Sequence, residues 1–137
     1  MINGKELMLG DYVNIVNCDY PEAVGVVEEI HVEGEEMHIS IDGQVYDVPS
    51  DKDISAVLLS EAFFLKNGFE VLRAFEALCI NETYSLLCNG DIKVVVKLYK
   101  GVISKCEVNG IEIKYVHEFQ HLMRLLGLSE YANNLEV

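Results

Sequence analysis

His117-Glu118-Phe119-Gln120-His121 sets two imidazoles four residues apart with a glutamate beside the first. On a helix that spacing brings both rings to one face, where they can hold zinc while the glutamate serves as general base. A catalytic zinc takes three protein ligands and keeps one open position. The longer form of the motif needs Gly at 124 and His at 127, and this chain has Arg124 and Gly127. Glu130 and Glu136 are the carboxylates left in the 16 residues after His121. Arg124 also lies one turn beyond His121 on the same face, where its fixed positive charge opposes a dication. The zinc candidates are therefore His117 and His121, with Glu118 as base. The context predicts instead two exposed histidines on a structural helix, with no catalytic, cofactor-binding or metal site and no cofactor.

The other reactive residues are scattered. Cys18, Cys79, Cys88 and Cys106 match neither C-x-x-C pairs nor the dense framework of a secreted mini-protein, and they read as reduced thiols. His38 falls opposite Asp47 on the solvent face of a hairpin, an ordinary cross-strand pair. His31 sits in an acidic run, Glu28-Glu29 and Glu33-Gly34-Glu35-Glu36, that lacks the alternating ligands of an EF-hand loop. Neither a phosphate-cradling Gly loop nor a G-x-S-x-G elbow is present.

The elements around these residues are well punctuated. Met37–Ile41 and Gln44–Val48 flank Asp42-Gly43, a type I′ signal that pairs Ile41 with Gln44 and Ile39 with Tyr46. About five short strands before residue 58, opening at Leu9-Gly10-Asp11-Tyr12-Val13, predict an SH3-like small β-barrel. A short helix follows, with Ser60 as N-cap, Leu59 and Phe64 as a hydrophobic staple, and Gly68 as C′ so that Phe69 folds back on Phe64. Residues 71–80 fit a helix or a strand equally well. Asn89-Gly90, Lys100-Gly101 and Asn109-Gly110 then divide an antiparallel meander. Its last hairpin gathers Ser104, Cys106, Val108, Ile111, Ile113 and Tyr115 on one face. The final helix, from about Val116 to Leu126, presents Phe119, Leu122, Met123 and Leu126 as its apolar stripe, with His117, His121 and Arg124 opposite. The fold predicted is α+β in two modules: 1–58, the SH3-like β module, and 59–137, a short helix and meander with the C-terminal helix packed on it.

Charge divides the chain in the same place. Its 137 residues carry a net charge of −13. Met1 to Leu58 hold 13 Asp/Glu against 2 Lys, hence −11, and the remainder 10 Asp/Glu against 8 Lys/Arg, hence −2. Affinity for nucleic acid comes from phosphate neutralisation by Lys and Arg, so the first half predicts no nucleic-acid binding, and it repels anionic membranes. A basic protein is the partner this charge suits, and an acidic decoy of nucleic acid is one form of that function. With no apolar leader at Met1-Ile2-Asn3-Gly4-Lys5-Glu6 and no run of about 18 apolar residues, the expected location is the cytoplasm.

Two segments, Ile54-Ser55-Ala56-Val57-Leu58-Leu59-Ser60 through Gly68-Phe69-Glu70 and Tyr115-Val116-His117-Glu118-Phe119-Gln120-His121-Leu122, carry a resemblance. Together they resemble a family of uncharacterised proteins of gut Bacteroides-type bacteria and their phages and prophages. That family has an I-x-P-I-x-L-[ST]-x-x-x-L-x-x-x-G-F-E stretch and a closing Y-[VL]-H-x-L-Q-N-L helix. This chain departs from it in having Ala56-Val57 for Pro-Ile and His121 for Asn. That family has no established activity; the resemblance fits a phage-encoded accessory protein, and it implies that the second imidazole of the zinc motif is not a family feature.

Protein prepared without chelators is accordingly expected to carry no stoichiometric zinc. Elemental analysis checks this, and one zinc per chain that is lost in His121→Ala would overturn it.

Overall fold

A computed structural model describes residues 7–17, 20–33, 36–41, 43–48, 54–77 and 82–137. It is mixed α and β, with antiparallel strands in three sheets and three short helices. No described helix is long and apolar enough to cross a membrane. The chain forms two compact units, Met1–Val57 with Tyr115–Asn133 and Leu58–Lys114 with Asn134–Val137. The sequence predicts a single cut near residue 58. The final helices instead belong with the N-terminal strands, because their polar side chains bond to the first of those strands.

The first unit holds β1 (Tyr12–Asn17), β2 (Tyr20–Val26), β3 (Glu29–Glu33), β4 (Glu36–Ile41), β5 (Gln44–Val48) and β6 (Ile54–Ala56). They make two three-stranded sheets, ordered β2-β1-β6 and β3-β4-β5, and no closed barrel is found among the described residues. The hairpin register is the one its turn residues dictate: Ile41 faces Gln44, Ile39 faces Tyr46 and His38 faces Asp47. Gly43 supplies the positive φ of 78° that this turn needs; Asp42 lies outside the described residues.

Leu7, Val13, Val27, Ile39, Ile41 and Ile54 form this unit's buried cluster, so both sheets contribute to it. Gly25 of β2 lies against the Ile41 side chain of β4. A Cβ there would lie 2.7 Å from Ile15 Cδ1 and would also collide with Ile41 Cγ2.

In the second unit, α1 (Glu61–Lys66) is capped by Ser60, whose Oγ accepts from Phe63 N at 3.1 Å. Gly68, at φ 89°, turns the chain so that Phe69 N donates to Phe64 O and the two rings meet edge to face at 5.3 Å. Asn67 fixes the end of the chain to this turn: its Nδ2 donates to Phe63 O and Glu136 O, and its Oδ1 accepts from Glu136 N.

Beyond lies a five-stranded antiparallel sheet ordered β11-β10-β9-β8-β7, of β7 (Glu70–Ala77), β8 (Glu82–Asn89), β9 (Ile92–Tyr99), β10 (Val102–Val108) and β11 (Ile111–Glu112). The ambiguous stretch is thus strand as far as Ala77, with residues 78–81 outside the described set. Leu87, Val94, Val96, Cys106 and Val108 are buried on one face. Burial pushes the Cys106 thiol up to about 12, with the Glu107 carboxylate adding to the shift, so at neutral pH it is a neutral core group. Cys88 is free and half-buried; Cys18 and Cys79 lie outside the described residues.

Asn109 and Gly110 both take positive φ and set Val108 against Ile111 as their sequence dictates. The predicted apolar face is shorter than expected. Ile111 and Ser104 are exposed, because β11 ends after two residues and a register shift between Ile103 and Lys105 turns Ser104 outward.

Gly25→Ala is expected to destabilise the protein by about 1 to 3 kcal/mol, since the added methyl has no space between the sheets. Urea denaturation followed by circular dichroism reads the change; an unaltered midpoint would show that the sheets can part freely.

Candidate functional site

The residues with chemical potential lie on α2 (Val116–Leu125) and in the turn before β1. Val116, Phe119, Gln120 and Met123, spaced i, i+3, i+4, i+7, are all buried. This differs from the stripe read in the sequence: Leu122 is half-buried and Leu126 is 54% exposed. The difference traces to Gln120. Counted as polar, it pushes the apparent apolar face toward Leu122 and Leu126, but its amide is fully paired and buries without penalty. Gln120 Oε1 accepts from Tyr12 N at 2.9 Å, while its Nε2 donates to Gly10 O and Ala132 O, both at 3.0 Å.

Asp11 stands beside it. Gly10, at φ 85°, turns the chain so that the Asp11 side chain points into the protein, where its exposure is 0%. Oδ2 accepts from Met8 N and from His121 Nε2, each at 2.7 Å, and Oδ1 accepts from Arg124 at 2.6 Å. The second terminal nitrogen of Arg124 reaches Asn133 Oδ1 at 3.2 Å, in α3 (Ser129–Asn133). A buried carboxylate is tolerated when its lone pairs are filled and an opposite charge is adjacent, and both conditions hold here.

The H-E-x-x-H residues make contacts within the protein. Glu118 Oε1 accepts from Tyr115 N at 3.1 Å and so closes the first turn of the helix. His121 gives its Nε2 to Asp11. His117, expected to be exposed, is 1% exposed. Its ring stacks on Tyr115 at 5.6 Å and meets His121 edge-on at 5.7 Å. No group of three or more His, Cys, Asp and Glu among the described residues is placed to hold a metal ion. Glu130 is exposed on α3 and Glu136 is tied to Asn67 through its backbone.

Arg124, read in the sequence as repelling a cation, is thus the counter-charge of a buried acid. Asp11 and Gln120 are the residues that sequence reasoning missed. Their signals were an aspartate after glycine within the apolar stretch Leu9-Gly10-Asp11-Tyr12-Val13, and a glutamine at a position where helical periodicity demands a buried side chain. Of the other two histidines, His31 makes an exposed pair with Glu29 at 3.3 Å, and His38 is half-buried opposite Asp47.

Fold and site together define a small α+β protein whose polar cluster joins a C-terminal helix pair to N-terminal strands. Comparison with family models, with curated proteins and with solved structures finds no match.

Asp11→Ala is expected to cost about 3 to 5 kcal/mol, because it leaves Arg124 without its counter-charge in a largely buried setting. Asp11→Asn should fall between this variant and the native protein. Denaturant melts rank the three, and a loss in Asp11→Ala no greater than that of an exposed Glu130→Ala would contradict the anchoring role.

Proposed function

We infer that this protein is a non-enzymatic accessory or protein-interaction protein, phage- or prophage-encoded, that binds a basic protein partner in the cytoplasm. The observation that carries the reading is the state of its chemically capable side chains. Asp11, Glu118, Gln120, His121 and Arg124 are spent on one another and on the backbone. An enzyme holds such groups toward a substrate; here Glu118 closes the start of its own helix, and the others tie that helix to β1 and the turn before it. The largest resource left for recognition is charge, and it is concentrated in the first 58 residues at −11. A field of one sign steers and selects oppositely charged partners.

The N-terminal strands fit an SH3-like module in this reading. Six short antiparallel strands in two sheets share one buried cluster, as such a module requires. Its acidic hairpin, β3 and β4, then offers Glu28, Glu29 and His31 at the exposed surface. The same charge argues against nucleic acid as the ligand.

Immobilised protein is expected to retain a basic protein from a bacterial lysate at low salt and to release it as ionic strength rises. Neutralising Glu28, Glu29, Glu33, Glu35 and Glu36 to Gln should remove that capture. A captured set that is the same for the native and neutralised proteins would sink the reading.

A further inference from the structure

The second unit's sheet has two unlike edges. At one end β11 is two residues long and lies along only Glu107 and Val108 of β10, so that edge is shared between the two strands. At the other, β7 is eight residues long and, among the described residues, pairs on one side only, with β8. Every side chain from Glu70 to Phe75 is exposed. Val71, Leu72 and Phe75 are apolar and 45%, 55% and 56% exposed. A long apolar edge strand is a template for adding a strand, and proteins blunt such edges unless they use them.

Charge and geometry select the added strand. Residues 58–114 carry 7 Asp/Glu and 7 Lys/Arg, a net charge of zero. The stretch of chain that carries this sheet is therefore balanced in charge and adds no net repulsion of its own between two copies. When two identical strands pair antiparallel in one continuous sheet, facing residues share a side of the sheet, so the two-fold axis passes through a residue pair. An axis at Leu72 falls on the irregularity between Val71 and Arg73. An axis at Arg73 sets guanidinium against guanidinium. An axis at Ala74 brings a small residue to the centre and sets Arg73 of each copy across from the partner's Phe75. Arg73 already lies toward an aromatic face, 5.8 Å from the centroid of its own Phe75.

We propose that β7 is a dimerisation edge, on which a second copy of this chain adds its own β7 antiparallel about Ala74, joining two five-stranded sheets into one. The proposal rests on residues of the second unit alone and does not depend on the basic-partner reading.

Sedimentation velocity of the full chain over about 1 to 100 µM, the range of a modest interface, is expected to show a concentration-dependent dimer. Phe75→Lys, which opposes Arg73 with a like charge, should weaken it at least about tenfold. Combining Phe75→Lys with Arg73→Glu should restore it, because opposite charges then face each other in the Ala74 register and in no neighbouring one. Ala74→Cys gives a second reading that does not depend on those variants folding: mild oxidation should link two copies through a disulfide that the native protein does not form. A native chain that stays monomeric throughout, a dimer indifferent to Phe75→Lys, a double variant that fails to recover, or an Ala74→Cys protein that does not cross-link would each overturn the proposal.

Discussion

A carboxylate removed from water must be given back, within the protein, what water supplied. Asp11 receives it from three directions, the Met8 amide, the His121 imidazole and the Arg124 guanidinium, and two of the three lie 110 and 113 residues away in the chain. The rest of the first unit is arranged around that compensation. Gly10 must turn the backbone to aim the side chain inward, Tyr12 begins the strand by donating to Gln120, and α3 supplies Asn133 to the far side of the guanidinium. Apolar burial stabilises the sheets but specifies no partner for the helix. The charged and amide bonds do, because each is costly to leave unmade.

The same cluster shows how one pattern of residues can serve two ends. Histidines at i and i+4 with an intervening glutamate suit a metal because a helix turns them to one side. That same geometry lets His121 and Arg124 converge on a carboxylate from another element, and lets Glu118 close the helix start. What separates the two uses is the surroundings. A metal site needs further donors around an open position; here a guanidinium bonds the same carboxylate as His121, and an aromatic ring, Tyr115, stacks on the other imidazole.

Local structure was legible in the sequence wherever one residue type dictates a backbone angle. Asp42-Gly43 and Asn109-Gly110 set two hairpin registers, and Ser60 with Gly68 bounded α1 and folded Phe69 onto Phe64. The strand character of residues 70–77 was not, since an edge strand exposed on its described side chains has no buried face to impose alternation. Nor was the place of the last helix. Its apolar residues would suit any sheet, and the residues that choose one, Asp11 and Gln120, look like ordinary polar positions until their partners are known. The closing of a barrel by the N-terminal strands is a matter of long-range sheet packing that hairpin signals do not encode.

Because residues 115–133 complete a unit begun by residues 1–57, the middle of the chain is an insertion within that unit. Closing a loop of this length costs about 4 kcal/mol in its length-dependent term alone, comparable to what a buried ion pair can return. During synthesis the order of events is then fixed by connectivity. The first unit's strands are made before its helices and wait for them, while nearly all of the second unit emerges in one stretch and can fold in the interval. In that interval the Asp11 side chain has neither His121 nor Arg124 and must remain in water. The strands of the first unit therefore complete their packing only after the second unit has been made, and the net charge of −11 on residues 1–58 opposes their aggregation meanwhile.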